Sequence, residues 1–148
     1  MKKYIALLIL VLVVTTSTFA QKVAPYKITA VRILPFNEIS GKFEDELAPD
    51  GNGGYFNDLS KSILALVEIS GPAGEYVDRR RVSIHVTEGR KLKLAKIGYP
   101  GVLSETGKYY VPVWLYGSMC DKVTITATLT GQTKPSSMKR SLDFMCGE

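Results

Sequence analysis

The chain has 148 residues, of which 45% are hydrophobic, 9% aromatic and 22% charged, with a formal net charge of +5. This is one domain's worth of ordinary globular composition, which excludes a disordered tail and a collagen-like or low-complexity repeat. The single histidine excludes any mechanism that needs a pair of them.

The first twenty residues read as an export leader. Lys2 and Lys3 precede an uninterrupted run of ten apolar residues, Ile5 to Val14, followed by Thr15-Thr16-Ser17-Thr18-Phe19-Ala20. Thr18 and Ala20 are the small residues a signal peptidase accepts, so cleavage is expected before Gln21. A membrane-spanning helix needs about 20 apolar residues, so no stable span is expected in the mature chain. The predicted organisation is a cleaved signal peptide, 1–20, and a single domain, 21–148, secreted or periplasmic. Losing the two leader lysines leaves 17 basic against 14 acidic residues, a mild +3. With that address, nucleic acid is not an expected partner. A protein, a glycan or an anionic surface at the envelope or outside the cell is.

Past the leader, segments of period two rich in Val, Ile, Thr and Tyr dominate, and no helix-sized window is amphipathic. Seven strands are predicted: Tyr26–Leu34, Ser62–Ser70, Arg81–Val86, Arg90–Ile97, Tyr109–Tyr116, Lys122–Thr130 and Met138–Cys146. Between the first two lies the least strand-like region, Asn37 to Lys61, where a short edge strand near Gly41–Phe43 or a helical turn near Asp58–Ser62 would fit. It carries Glu44-Asp45-Glu46 and Asp50-Gly51-Asn52-Gly53-Gly54. A long connection of this kind is commonly functional, mobile or itself structured. Asp50, Asn52 and Asp58 make a weak calcium candidate, since hard cations take oxygen ligands on flexible backbone. The EF-hand pattern itself fails, because Gly54 and Lys61 stand where ligands belong. No cofactor and no metal are otherwise expected.

Next comes a hairpin whose alternation suggests a register. A three-residue loop Thr87-Glu88-Gly89, with Gly89 left-handed, would pair Val86 with Arg90, Ile84 with Leu92 and Val82 with Leu94. Its outer face would then carry Arg81, Ser83, His85, Lys91 and Lys93, a basic strip that either stays solvated or meets an anionic surface. His85 with Ser83, or the loop acids, could in principle serve a small secreted hydrolase, but nothing resembles Gly-x-Ser-x-Gly or a triad. No catalytic residue is assigned and no enzyme is expected.

The strand Tyr109–Tyr116 sets Val111, Val113 and Leu115 on one face and Tyr110, Pro112, Trp114 and Tyr116 on the other. Such an aromatic row could stack on sugar rings or anchor a protein, or be covered by the 37–61 segment and serve as core. Pro112 marks the strand as an edge or a bulge. In the last hairpin, apolar residues at odd positions of Lys122–Thr130 face even ones of Met138–Cys146, so an odd-sum pairing such as Ile125 with Leu142 is expected. Cys120 and Cys146, alone in an oxidising compartment, should form a disulfide, helped by a bulge near Asp121. The count and spacing of strands suggest an all-β antiparallel two-sheet sandwich. They resemble immunoglobulin-like sandwiches in general. Here, however, both cysteines flank the last hairpin instead of bridging the sheets around a core tryptophan. The overall expectation is an exported, non-enzymatic interaction or ligand-binding module, whose candidate surface is Tyr110, Trp114 and Tyr116 with Arg81, His85, Lys91 and Lys93.

Overall fold

The structure is a computed structural model, described over residues 25–49, 54–74, 78–98, 105–117 and 119–147. The expected leader and the pair Asp50 and Asn52 lie outside these residues. Among the described residues there are nine strands and no helix, so none is long and apolar enough to cross a membrane. The strands are β1 Lys27–Asn37, β2 Lys42–Phe43, β3 Tyr55–Asn57, β4 Lys61–Ser70, β5 Arg81–Glu88, β6 Lys91–Gly98, β7 Lys108–Leu115, β8 Lys122–Thr130 and β9 Ser136–Cys146. They form two packed sheets, ordered β2-β1-β4-β7 and β3-β9-β8-β5-β6. All neighbours are antiparallel except β3 and β9, which run parallel. This is the all-β sandwich expected from the strand periodicity.

Alternation supplies the core. Ile63, Ala65, Val67 and Ile69 of β4 face Val82, Ile84 and Val86 of β5 and Val123, Ile125, Ala127 and Leu129 of β8 across the interior, and all are buried. Six of the seven predicted strands match in place to within about three residues, and the seventh, Lys122–Thr130, matches fully. The 37–61 connection resolves into two short strands. β2 falls where the edge strand was expected, while β3 adds to β9. The suggested helical turn at 58–62 is instead a pair of side-chain-capped turns. Asn57 Oδ1 accepts from Leu59 N at 3.0 Å, Asp58 Oδ1 accepts from Ser60 N at 3.1 Å, and Leu59 takes a left-handed φ of 66°.

β2 stops after two residues because Pro35 has no N–H to continue a ladder along β1. The chain instead drapes along that edge, with Glu44 N donating to Pro35 O at 2.9 Å and Leu47 N to Ile33 O at 3.0 Å. Arg140 of β9 ties this drape to the opposite sheet, donating to the carbonyls of Val31 and Leu47, both at 2.6 Å.

The β5–β6 register differs from the expectation. Glu88 pairs with Lys91 across a two-residue turn, Thr87 with Leu92, and a bulge then brings Leu94 opposite Val86, Lys96 opposite Ile84 and Gly98 opposite Val82. The reason is on the other side of β5: its ladder with β8 runs through Glu88–Val123, so Glu88 is drawn into the strand. Glu88 also accepts from Cys120 N at 3.0 Å, and Gly89 N donates to Lys122 O at 2.8 Å. Gly89 is left-handed as expected, with φ 52°.

In the last hairpin the odd-sum parity holds, with Ile125 opposite Arg140, two residues from the expected partner Leu142, which sits opposite Val123. Cys120 and Cys146 are bridged, with Cα atoms 5.2 Å apart. No bulge is needed inside the ladder. It ends at Lys122–Asp143, and Asp121 bends outside it.

Candidate functional site

The outer face of the four-stranded sheet is not polar. Leu34, Leu64 and Trp114 stand side by side across β1, β4 and β7, and Leu66 is opposite Pro112. On the neighbouring row Phe36 pairs with Phe43 of β2 and with Ser62, a small residue that is buried beneath the rings. Rings can therefore meet over Ser62. Phe36 and Phe43 lie 5.1 Å apart between centroids, Phe36 and Trp114 6.0 Å edge-on, Phe43 and Trp114 5.9 Å. Just past the end of β7, Tyr116 stacks on Trp114 at 5.9 Å with only 15° between planes. Trp114 is the hub and is half-buried; Tyr116 is 72% exposed and Phe43 49%.

Polar groups frame this patch. Arg32 clamps Glu46, with Nε 2.9 Å and Nη2 2.5 Å from Oε2. Farther down the sheet Glu68, a buried carboxylate on the outer face, accepts from Thr29 Oγ1 at 2.8 Å, Lys108 Nζ at 3.0 Å and Tyr110 OH at 3.1 Å. Burial pushes its carboxyl up, but the three donors together outweigh that and hold it below the ordinary glutamate range. The expected row therefore divides. Trp114 and Tyr116 belong to the aromatic cluster, whereas the hydroxyl of Tyr110 is committed to Glu68 beyond Pro112.

The expected basic strip divides too. His85 is exposed on the outer face of the five-stranded sheet, opposite Thr126, with Nε2 3.1 Å from Ser83 Oγ. No carboxylate among the described residues hydrogen-bonds it. Arg81 is exposed at the start of β5. The bulge sends Lys93 away from them: its ammonium is 2.6 Å from Glu88 Oε2, and the residue lines a cleft of about 220 Å³ with Leu94, Trp114 and Tyr116. Lys91, opposite Glu88, follows it to that end. On the β6 side the neighbours of His85 and Ser83 are the apolar Ala95 and Ile97, and on the β8 side they are Thr126 and Thr128.

In the 37–61 segment Glu38, Glu44, Glu46 and Asp58 each have a partner. Glu44 accepts from Lys61 and, at 2.7 Å, from Tyr55 OH. Hydrogen bonds from Lys61 first and Tyr55 second lower the Glu44 carboxyl, and burial followed by the Glu44 contact raises the Tyr55 phenol. Asp58 caps Ser60. Among the described residues no three His, Cys, Asp or Glu side chains are placed to hold a metal ion.

Phe36 and Phe43, with the floor of Leu34, Leu64 and Leu66, are missing from the residues expected to form a surface. A signal existed: Ile63-Leu64-Ala65-Leu66-Val67 is apolar without alternation, which marks a strand whose two faces are both apolar. Comparison of the chain with models of known protein families and with curated protein sequences gives no match.

Proposed function

We propose that this chain is an exported, non-enzymatic β-sandwich that acts as a protein-interaction or ligand-binding module, with the Phe36, Phe43, Trp114 and Tyr116 cluster as its contact surface. The leader pattern of residues 1–20 and the Cys120–Cys146 bridge support secretion or a periplasmic address, since such bonds persist in oxidising compartments. The observation that carries the reading is a set of aromatic rings packed on one another with Tyr116 and Phe43 still open to solvent. Rigid aromatics of this kind supply contact area at little entropic cost and are typical anchors of interfaces.

A glycan is the second reading. The outward face of Tyr116 offers a platform for a sugar ring, and the polar frame of Arg32, Glu46 and Lys108 offers hydrogen bonds to hydroxyls.

Trp114 is the only tryptophan, so its emission reports this surface directly. The test is affinity capture from envelope and extracellular material with the mature chain, its Phe43→Ala/Tyr116→Ala double variant and a chelator arm, alongside oligosaccharide titrations read by Trp114 emission. A partner retained by the parent and lost by the double variant supports the protein reading, and saturable emission change with a sugar supports the glycan reading. Identical retention by both proteins together with unchanged emission overturns the assignment of this surface.

A further inference from the structure

We propose that the free edge of β7 at Trp114 takes up an extended peptide as an added strand, with one large apolar side chain of that peptide filling the cleft between β6 and β7 and a carboxylate meeting the lysines of β6. This rests on the reading of the chain as an interaction module and names the chemistry of the partner.

The edge comes first. Among the described residues β7 pairs with β4 alone, so no described strand bonds its other side. Along an antiparallel strand, successive residues turn their N–H and C=O to alternate sides. Pro112 reveals which set faces out, because its carbonyl accepts Lys96 Nζ of β6 at 2.7 Å. Residues of the same parity, Tyr110 and Trp114, therefore direct both backbone groups to the open side. The lower half of that edge is closed to pairing, since Pro112 has no donor and its acceptor is taken. At Trp114, beyond it, no described residue bonds the backbone on that side. What remains is a short stretch of edge with room for one narrow ladder.

The cleft lies beside this stretch. It encloses about 220 Å³ and is lined by the apolar Val86, Leu94, Leu115 and Val123, by Lys93, and by Trp114 and Tyr116 of the aromatic cluster. An apolar cavity of roughly 150 Å³ holds a benzene molecule, so this space suits one phenylalanine-sized side chain. Backbone pairing for affinity and a pocket for every second side chain is how strand addition recognises peptides.

Charge selects the occupant. β6 contributes Lys91, Lys93 and Lys96 to the far bank, against Glu88, which pairs with Lys93, and Asp121 beside the Gly89 turn among the described residues. A second copy of the chain offering its own β6 would set lysine against lysine. An acidic residue two positions from the apolar anchor falls on the same face of the added strand and meets Lys93.

A library of random displayed heptapeptides, selected against the full mature chain, tests this. The expected result is enrichment of a large apolar residue with Asp or Glu two positions away, and binding of the enriched peptide that changes Trp114 emission. N-methylation of its backbone within the pairing stretch should weaken binding at least about tenfold, as loss of one desolvated anchor does. Leu94→Phe, which fills the cleft, should do the same. Lys93→Gln leaves the cleft intact and should abolish the preference for acidic over neutral peptides. No enrichment, or equal affinity for the N-methylated peptide and for Leu94→Phe, overturns the proposal. If Phe43→Ala weakens the peptide while Leu94→Phe does not, the ligand sits on the aromatic face, so the edge inference fails and the reading of that surface stands. If Leu94→Phe abolishes peptide binding while Phe43→Ala keeps every captured partner, the edge inference stands and the reading of the aromatic surface fails; Phe43 is replaced alone because Tyr116 also lines the cleft.

Discussion

Replacing Trp114 and Tyr116 separately by alanine asks whether the aromatic cluster is a preformed surface or a loose row. Trp114 touches three rings, those of Phe36, Phe43 and Tyr116, all with centroids within 6.0 Å. At about 0.5–1.5 kcal/mol per aromatic pair, and with half of the indole buried, Trp114→Ala should cost about 3 kcal/mol. Tyr116 makes one stacked contact and is 72% exposed, so Tyr116→Ala should cost about 1 kcal/mol or less. In a domain of this size that translates to roughly 10 °C against roughly 3 °C in melting temperature. Urea unfolding followed by far-ultraviolet circular dichroism measures both, because the tryptophan variant loses its fluorescent reporter. In the tyrosine variant, emission of Trp114 should shift to the red as one face of the indole meets water. Tyr116 is thus the residue to remove when binding is the question, since Trp114 carries stability as well. Equal costs for the two variants, or a Trp114→Ala cost under about 1 kcal/mol, would refute the packing on which the surface depends.

Three other outcomes follow from the fold. Removing the disulfide with Cys120→Ser and Cys146→Ser releases a loop of sequence separation 26 and should cost about 3.5 kcal/mol by the chain-entropy relation, read as a lower urea midpoint with far-ultraviolet structure retained. Gly131→Ala should destabilise clearly more than Gly74→Ala: both glycines are left-handed, with φ 77° and 73°, but only at Gly131 would a methyl group strike backbone, at the carbonyl of Arg79. Equal melting temperatures for the two would show that the turn yields. Stability should be level near neutrality and fall on acidification. Glu68, Glu44, Glu46 and Glu88 all have lowered native values, so their contribution is intact above the ordinary carboxylate value of about 4.3 and is lost as pH drops through the native ones. Tyr55 acts at the other limit, its raised phenol favouring the fold until pH climbs past about 10. A melting temperature that rises between pH 5 and pH 3 would contradict the carboxylate assignments.

The sandwich was legible because period-two alternation is a local property, present in β5, β7 and β8 whatever they pack against. The disulfide was legible from two cysteines behind a start that reads as an export leader. What escaped depends on long-range competition. The β5–β6 register looked settled by Val82, Ile84 and Val86 facing leucines, yet β8 holds β5 through Glu88, and the turn moves to accommodate that stronger ladder. The bulge then carries Lys93 to the cleft, so the basic strip dissolves. β3 could not be foreseen because its three residues pair with β9 in parallel, a partnership that no hairpin signal encodes. The aromatic row was half visible. Alternation placed Trp114 outward, but Phe36 and Phe43 reach it from β1 and β2 only because Ser62 between them is small.

The sandwich has four sheet edges, and the way they are treated bears on function. An open strand is an invitation to pair with any chain, and proteins blunt it with lysine, proline or short strands. β2 and β3 are two and three residues long, which closes one side of each sheet. β6 carries three lysines, and the lower part of β7 is stopped by Pro112 and the Lys96 ammonium. Trp114 is the break in this protection, and it lies where exposed apolar side chains gather. Ile39, Phe43, Leu59 and Tyr116 crowd the same end of the molecule, with Phe56 and Met145 on adjoining strands. At the other end the chain packs against itself, with Arg80 buried and its guanidinium 3.4 Å over the ring of Tyr26, and with Gln132 donating to Tyr26 O at 2.8 Å. A domain whose surface needed only to be inert would carry its apolar residues evenly and shield every edge. Leu92 and Ile97 of β6 and Tyr110 of β7 are exposed away from this group, but among the described residues the largest gathering of open apolar side chains lies beside the unshielded end of β7, which is where the proposed contact would form.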